Sequence, residues 1–304
     1  MTFKDDRKVV LITGCSSGLG LSLAETLVQA DRYKLIITTR GRSIEKLREY
    51  FQESPNVMVR ELDVNNPVQI YGLINEICCA WGGIDTLVNN AGVCYRSVIE
   101  HMDPDAELEQ LRTNYLGPMS IIRAVLPLMR ERGKGHIINI SSVSGSVPMP
   151  TMGSYSSSKH ALEAASEALW YEARPFGVQV TLVQPGFIRS ESYKNVVLSK
   201  KAMLSTEVNG SHAEFYRSMA PLVEKLMGFS LSNPRGIARK IQKIIDMSRP
   251  PFRIGVTADA VVFRILRSVL PNGLFRRLMY SLLPGSTVWG ERLQSLSTSV
   301  PKVG

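Results

Sequence analysis

Tyr155 and Lys159 stand four residues apart in the run Tyr155-Ser156-Ser157-Ser158-Lys159, with Ser142 thirteen positions upstream of the tyrosine. Residues at i and i+4 share one face of a helix. There an ammonium group favours the phenolate and draws the phenol down from its usual pKa of about 10. A tyrosine so placed can give a proton to an oxygen or take one from it near neutral pH. Ser142 stands two residues past the apolar run 136–140 and offers a second hydroxyl at the same end of that run. Alone, a Tyr–Lys pair also decorates ordinary surface helices, and a serine after a strand is also a plain loop residue. Their weight depends on the elements that position them.

Those elements alternate. The runs 9–12, 35–39, 57–62, 86–88, 136–140 and 178–183 are rich in apolar and β-branched residues and read as buried strands, with 252–256 as a last one. Between them, 19–30, 44–51, 68–81, a long stretch from about 105 to 132, 154–174 and 234–247 read as helices, the last with Pro234 in its first turn. Continuous strand runs alternating with helices predict an α/β fold, a single doubly wound parallel sheet of Rossmann type covered by helices on both faces. No repeat, low-complexity tract or linker divides the chain, and 190–232 is less regular, as an insertion over the sheet's C-terminal edge would be. The organisation expected is a catalytic body over 1–257 and an extension over 258–304.

The first strand run ends in Thr13-Gly14-Cys15-Ser16-Ser17-Gly18-Leu19-Gly20. Glycines between a strand and a helix allow a tight turn and let the backbone approach a pyrophosphate at the helix's positive end. Ser142 falls at the carboxyl end of its strand run, where open α/β sheets form their sites.

Bulk properties exclude several classes. The 304 residues are 44% hydrophobic and 21% charged, as in ordinary globular proteins. The net charge of +9 is unevenly spread, with twelve Lys and Arg against three Asp and Glu from Asn233 onward, so the first 232 residues are balanced. A basic C-terminal end points to a surface interaction. No groove-reading motif or aromatic–basic interleaving accompanies it, which argues against nucleic acid. Cys15, Cys78, Cys79 and Cys94 form no metal-ligand or disulfide pattern. His136 and His160 lack metal-ligand spacing, and no metal is expected. The charged N-terminus runs into the first strand without an apolar signal segment, so a cytoplasmic setting is expected.

With Asn89-Asn90-Ala91-Gly92 after the fourth strand run, and Ser142, Tyr155 and Lys159 in order, the chain resembles the short-chain dehydrogenase/reductase family over roughly residues 8–257. The resemblance implies a nicotinamide dinucleotide held by Gly14, Ser16, Ser17, Gly18, Leu19 and Gly20. It places Asp63 and Val64 at the adenine, Asn90, Ala91 and Gly92 along the adenine ribose, and Pro185, Gly186, Ile188 and Ser190 at the nicotinamide. NAD-preferring members carry an acidic residue at the end of the second strand. Here Thr39 and Arg40 stand there, with Arg42 nearby, and a guanidinium suits a 2′-phosphate. NADP(H) is the cofactor expected. In the reaction the resemblance implies, Tyr155 protonates a carbonyl oxygen as hydride reaches the carbon, and Ser142 donates a hydrogen bond to that oxygen. Lys159 holds the nicotinamide ribose, and Asn114 keeps a water that links Lys159 to solvent.

Within the family, the first-turn sequence, Arg40 and the C-terminal extension resemble the hydroxysteroid and retinol dehydrogenase branch. The region 190–232, as a lid, brings Tyr193, Val196, Met203, Phe215, Met219 and Leu226, among others, which suit a lipophilic ketone, aldehyde or alcohol. A 3-oxoacyl or keto-lipid reductase is the alternative, and a catalytically silent NADP(H)-sensing binding protein the reading from another class. Ala161, Ala164, Ala165 and Ala168 give the helix after Tyr155 a small-residue face, which either packs on its own sheet or builds the homodimer that the family resemblance implies. The stretch 258–283 is apolar with interspersed arginines and broken at Pro271-Asn272-Gly273. It is too charged to span a bilayer. It either lies in a membrane interface as two short amphipathic helices or packs on the body.

Overall fold

A computed structural model of the chain describes residues 6–189, 196–207 and 212–286. Among these, seven strands form one wholly parallel sheet in the order β3-β2-β1-β4-β6-β7-β9. They are β1 (Lys8–Ile12), β2 (Tyr33–Thr39), β3 (Val57–Glu61), β4 (Thr86–Asn89), β6 (Gly135–Ile140), β7 (Val178–Gln184) and β9 (Arg253–Gly255). The order reverses direction at β1, between β2 and β4, so a crevice opens at the strands' carboxyl ends there. The doubly wound parallel sheet read from the alternating runs is the fold observed.

The two faces carry separate cores. On one, α3 (Pro67–Trp81), α5 (Gly117–Glu131) and α6 (Gly153–Ala173) bury Ile74, Ile77, Val125, Met129, Leu162 and Leu169 against the sheet. On the other, α1 (Gly18–Ala30), α2 (Ile44–Tyr50) and α9 (Pro234–Asp246) bury Leu23, Leu27, Leu47, Ile237, Ile241 and Ile245. Local signals set the helix ends. Asn66 caps α3 by accepting from the backbone N–H of Val68 and Gln69, with Pro67 in the first turn and Gly82 in the left-handed conformation beyond the last. Asn233 and Pro234 start α9 in the same way.

Two features depart from the sequence expectation, and a third adds contacts to one of its alternatives. The long helix over 105–132 is not continuous: α4 (Pro104–Leu111) runs into a π-helical segment, Arg112–Leu116, before α5 begins. The region 190–232 holds α7 (Lys200–Glu207), α8 (Ala213–Phe229) and a short strand β8 (Val197–Leu198), which pairs in parallel with β5 (Tyr95–Arg96). The extension contributes to the sheet's carboxyl edge. It opens α10 (Ala258–Val269), whose cap Thr257 accepts from Gly186 N–H, while Asp259 accepts from Phe187 N–H. A further helix, α11 (Asn272–Ser281), follows the break at Pro271. Among the described residues, no helix is long and apolar enough to cross a membrane. On α6, Ala164 and Ala168 face outward while Ala161 and Ala165 are partly covered.

Candidate active site

A cavity of about 880 Å³ follows the carboxyl ends of β1, β2, β4, β6 and β7. Its floor at one end is the Gly14–Gly20 turn. Helix α1 starts there behind Ser17, which makes no side-chain cap, and its first turn holds no acidic residue. The free N–H groups and positive end of that helix therefore face the cavity. Two of its glycines leave no room for a side chain: a Cβ on Gly20 would collide with the Gly14 carbonyl oxygen and the Asn90 amide, and one on Gly14 would come within 2.6 Å of the Ala91 Cα. Thr13 and Asn90 lock this geometry. Thr13 Oγ1 accepts from the N–H groups of Asn90 and Ala91, and Asn90 Nδ2 donates to the carbonyls of Thr13 and Gly14, each at 3.0 Å. A close-approach turn against an uncapped helix end fits a pyrophosphate.

Beyond β2, Thr39, Arg40, Arg42, Ser43 and Lys46 line the wall. None of the three cations has a carboxylate partner among the described residues, so a phosphate would meet unneutralised positive charge there. Leu62 and Val64 also line the cavity, but Asp63 does not. Its carboxylate turns to accept from Asn65 N–H at 2.9 Å, an Asx-type turn. At the other end Gly92, Pro185, Gly186 and Ile188 are on the wall. Ser190 and Tyr193 lie outside the described residues.

Helix α6 carries Tyr155 and Lys159 to the cavity beside the end of β6, which carries Ser142. Ser142 and Tyr155 line the cavity together, and Ser142 Oγ accepts from Ser144 N–H at 3.2 Å. Lys159 is buried and donates from Nζ to the Ile140 carbonyl at 2.9 Å. The electrostatics differ from the simple pair expectation. Burial, then the Cys94 thiol, hold the Tyr155 phenol above its ordinary pKa, and the Ser142 hydroxyl works against them. Burial also pushes the Lys159 ammonium down to about 8, with Cys94 and Glu163 opposing. The phenol is therefore protonated at neutral pH, ready to donate to an oxygen that gains negative charge.

Asn114 does not reach the cavity. It is fully buried in the π-helical segment, where its amide brackets Val93: Oδ1 accepts from the Val93 N–H at 2.8 Å, and Nδ2 donates to the Val93 carbonyl at 2.9 Å and to Ser158 Oγ at 3.0 Å.

Two groups at the site, Glu163 and Arg96, had no local sequence signal, and a third, Tyr216, reads in the sequence only as part of the apolar insertion. Glu163, one turn beyond Lys159, is buried; Oε1 accepts from Ser141 Oγ at 2.7 Å and Gln184 Nε2 at 2.8 Å, and Oε2 pairs with Arg253. Tyr216 of α8 fastens the insertion to the body: its hydroxyl accepts from Val98 N–H and bonds His101 Nδ1, both at 3.1 Å, and it stands 3.3 Å from Ser97 Oγ. Arg96, at the end of β5, is buried on the cavity wall. Met149, Met152, Val196, Val223 and Met227 make the remainder of that end apolar.

Known proteins with this arrangement are numerous. A family model for short chain dehydrogenases matches residues 8–201. The chain is 32% identical over 279 residues to the 3-ketodihydrosphingosine reductase of Bacteroides thetaiotaomicron, covering 90% of this chain and 98% of that one. It is 36% identical over 199 residues to dehydrogenase/reductase SDR family member 7B of Bos taurus, covering 62% of this chain and 60% of the relative, so the match spans less than two thirds of that protein's length. A short-chain dehydrogenase from Streptomyces avermitilis, 28% identical, superposes with a TM-score of 0.72 over 95% of this chain and 99% of its own. Several solved structures of the same fold hold NADP.

Proposed function

The chain belongs to the short-chain dehydrogenase family, and from that premise we propose that it reduces a lipophilic ketone or aldehyde to the alcohol with NADPH, the reverse oxidation following the same path. The observation that carries this reading is the Ser142–Tyr155 hydroxyl pair, which shares one cavity with the glycine turn and the apolar insertion. When bound there, a reduced nicotinamide supplies hydride to the carbonyl carbon. Tyr155 gives its proton to the carbonyl oxygen, and Ser142 donates a hydrogen bond that strengthens as charge develops on that oxygen. Lys159, buried beneath the phenol, supplies positive charge at the site. Arg40, Arg42 and Lys46, together with the missing acid at Thr39, support NADP(H) over NAD(H).

The likeness to a 3-ketodihydrosphingosine reductase along nearly its whole length favours a keto-lipid substrate over a steroid or a retinoid. Helices α10 and α11 support contact with a membrane surface, where such a substrate resides. They leave Val262, Ile265, Val269, Leu274 and Tyr280 exposed, and the same helices carry Arg264, Arg267, Arg276 and Arg277.

The test is cofactor oxidation by the purified protein with 3-ketosphinganine, a long-chain oxo acid, retinal, ketosteroids and 3-oxoacyl thioesters, NADPH against NADH, with Tyr155→Phe as control. Turnover with NADPH on a keto-lipid, lost in Tyr155→Phe, is expected. Preference for NADH would overturn the role given to Arg40. Tight NADPH binding with no turnover on any carbonyl would leave a dinucleotide-sensing protein instead.

A further inference from the structure

Arg96 is a cation in an expensive place. Its side chain is 8% exposed on the wall of the cavity, at the end lined by apolar residues. A guanidinium does not shed its charge in a protein, so burial must be offset by partners. The described residues supply few. Nη2 donates to Thr151 Oγ1 at 3.1 Å, Nε has no partner, and no carboxylate lies within ion-pair distance. Glu224 acts on it only from farther away.

The residue that holds Arg96 is itself held at a cost. Thr151 has φ 64°, a left-handed conformation unusual for a β-branched residue. Its carbonyl accepts from Ser97 N–H at 2.9 Å, so the same strained residue anchors both the strand end and the guanidinium. Parallel pairing of β5 with β8 fixes the strand from its other edge.

The dinucleotide is not the partner. Neighbours on a strand point opposite ways. Tyr95 turns toward Glu109, within the field of Arg40 and Arg42, whereas Arg96 turns toward Thr151. The phosphate-facing cations are thus on the opposite side of β5. The Cys94 thiol lies within electrostatic reach of Tyr155, Lys159 and Arg96 together, which puts the guanidinium at the reacting end of the cavity.

We infer that the substrate carries an anionic oxygen group, a carboxylate or a phosphate monoester, which Arg96 binds while the carbonyl meets Tyr155. An oxyanion would take up the donors that Thr151 leaves free and neutralise the buried charge. This narrows the keto-lipid class given above to members with an acidic group, against the cationic amine of 3-ketosphinganine, and rests on that reading for the position of the carbonyl.

Calorimetric titration of the full chain, saturated with NADP+, tests it with three probes: dodecanoate, monododecyl phosphate and dodecanol. At least one of the two acids is expected to bind more tightly than dodecanol, and the better one identifies the group. Arg96→Met is expected to weaken that acid about ten-fold or more, the value of one charge-assisted hydrogen bond, with dodecanol and NADPH affinities unchanged. Arg96→Lys is expected to restore part of the loss. Equal weakening of all three probes would reduce Arg96 to packing, and weakened NADPH binding would assign it to the dinucleotide; either overturns the inference. If Arg96→Met fails a thermal-melt check of folding, the wild-type comparison still decides, since neither acid outbinding dodecanol overturns it. The readout is binding, so it stands apart from turnover. Arg96-dependent acid binding by a protein inactive on every carbonyl would sink the reductase reading and leave this one.

Discussion

Glu163 offers a quantitative test of how the site is braced. It sits on α6 one turn past Lys159, and its carboxylate ties together the ends of three strands: Ser141 after β6, Gln184 at the end of β7, and Arg253 at the start of β9. Glu163→Ala removes one partner of a buried ion pair, which typically costs about 3–5 kcal/mol because the remaining charge is left uncompensated. Here the lower end applies. The Arg253 side chain keeps 26% exposure and a second carboxylate, Glu167, at 3.6 Å. Gln184 also keeps Ser146 Oγ at 2.9 Å. Ser141 loses its acceptor outright, worth about 1 kcal/mol. The expected loss is therefore about 3–4 kcal/mol in urea unfolding followed by circular dichroism. Most of it comes from the stranded guanidinium, so Arg253→Met in the Glu163→Ala background should return about 2 kcal/mol, a coupling the double-mutant cycle isolates. Because Ser141 adjoins Ser142, turnover should fall as well, with NADPH affinity little changed. A loss under about 1 kcal/mol, or an additive cycle, would refute the view that this carboxylate clamps the strand ends.

Burial pushes the His136 imidazole, bonded to Thr181 Oγ1 at 2.9 Å, down to about 4 from 6.5, with Lys8 adding to the effect. The folded chain thus resists a proton that the unfolded chain accepts, so stability is full above pH 6.5 and is lost as pH falls toward 4. The loss amounts to about 3 kcal/mol. Urea midpoints across that range should show it in the wild type and not in His136→Gln; parallel curves would exclude it. For the C-terminal helices, the full chain should sediment with phosphatidylserine-containing vesicles and less with neutral ones, and added salt should release it. Val262→Asp with Ile265→Asp should abolish sedimentation while sparing turnover of a soluble substrate, and equal sedimentation of the variant would rule the surface out.

The strands were legible because burial on both faces requires unbroken apolar runs, and β1, β2, β6 and β7 are such runs. The glycine turn was legible because only glycine tolerates the contacts made at Gly14 and Gly20. Arg96 and Glu163 were not. Each reads locally as a charge on a strand end or a polar helix, and only partners 55 and 90 positions away show that both are buried. The Tyr155–Lys159 spacing correctly put both residues on one face, but spacing carries no information on burial, and burial sets the protonation of both groups. The tie between α10 and the Pro185–Phe187 turn was likewise hidden, since it joins segments some seventy positions apart.

The π-helical segment explains how these parts keep register. Periodicity over 105–132 predicted one helix, because a single wide turn leaves the apolar pattern on either side nearly intact. π-bulges collect at functional sites, where the widened turn redirects a side chain. Here it delivers Asn114, whose one amide bonds Val93 on both its N–H and its carbonyl, and Ser158 on α6. Val93 follows the Gly92 loop and leads into Cys94, Tyr95 and Arg96, while Ser158 adjoins Lys159. One buried amide therefore fixes the dinucleotide loop, the strand that ends in Arg96 and the helix that carries Tyr155 relative to one another. An aspartate could accept from Val93 but could not donate to its carbonyl or to Ser158, so the chemistry of this position requires an amide.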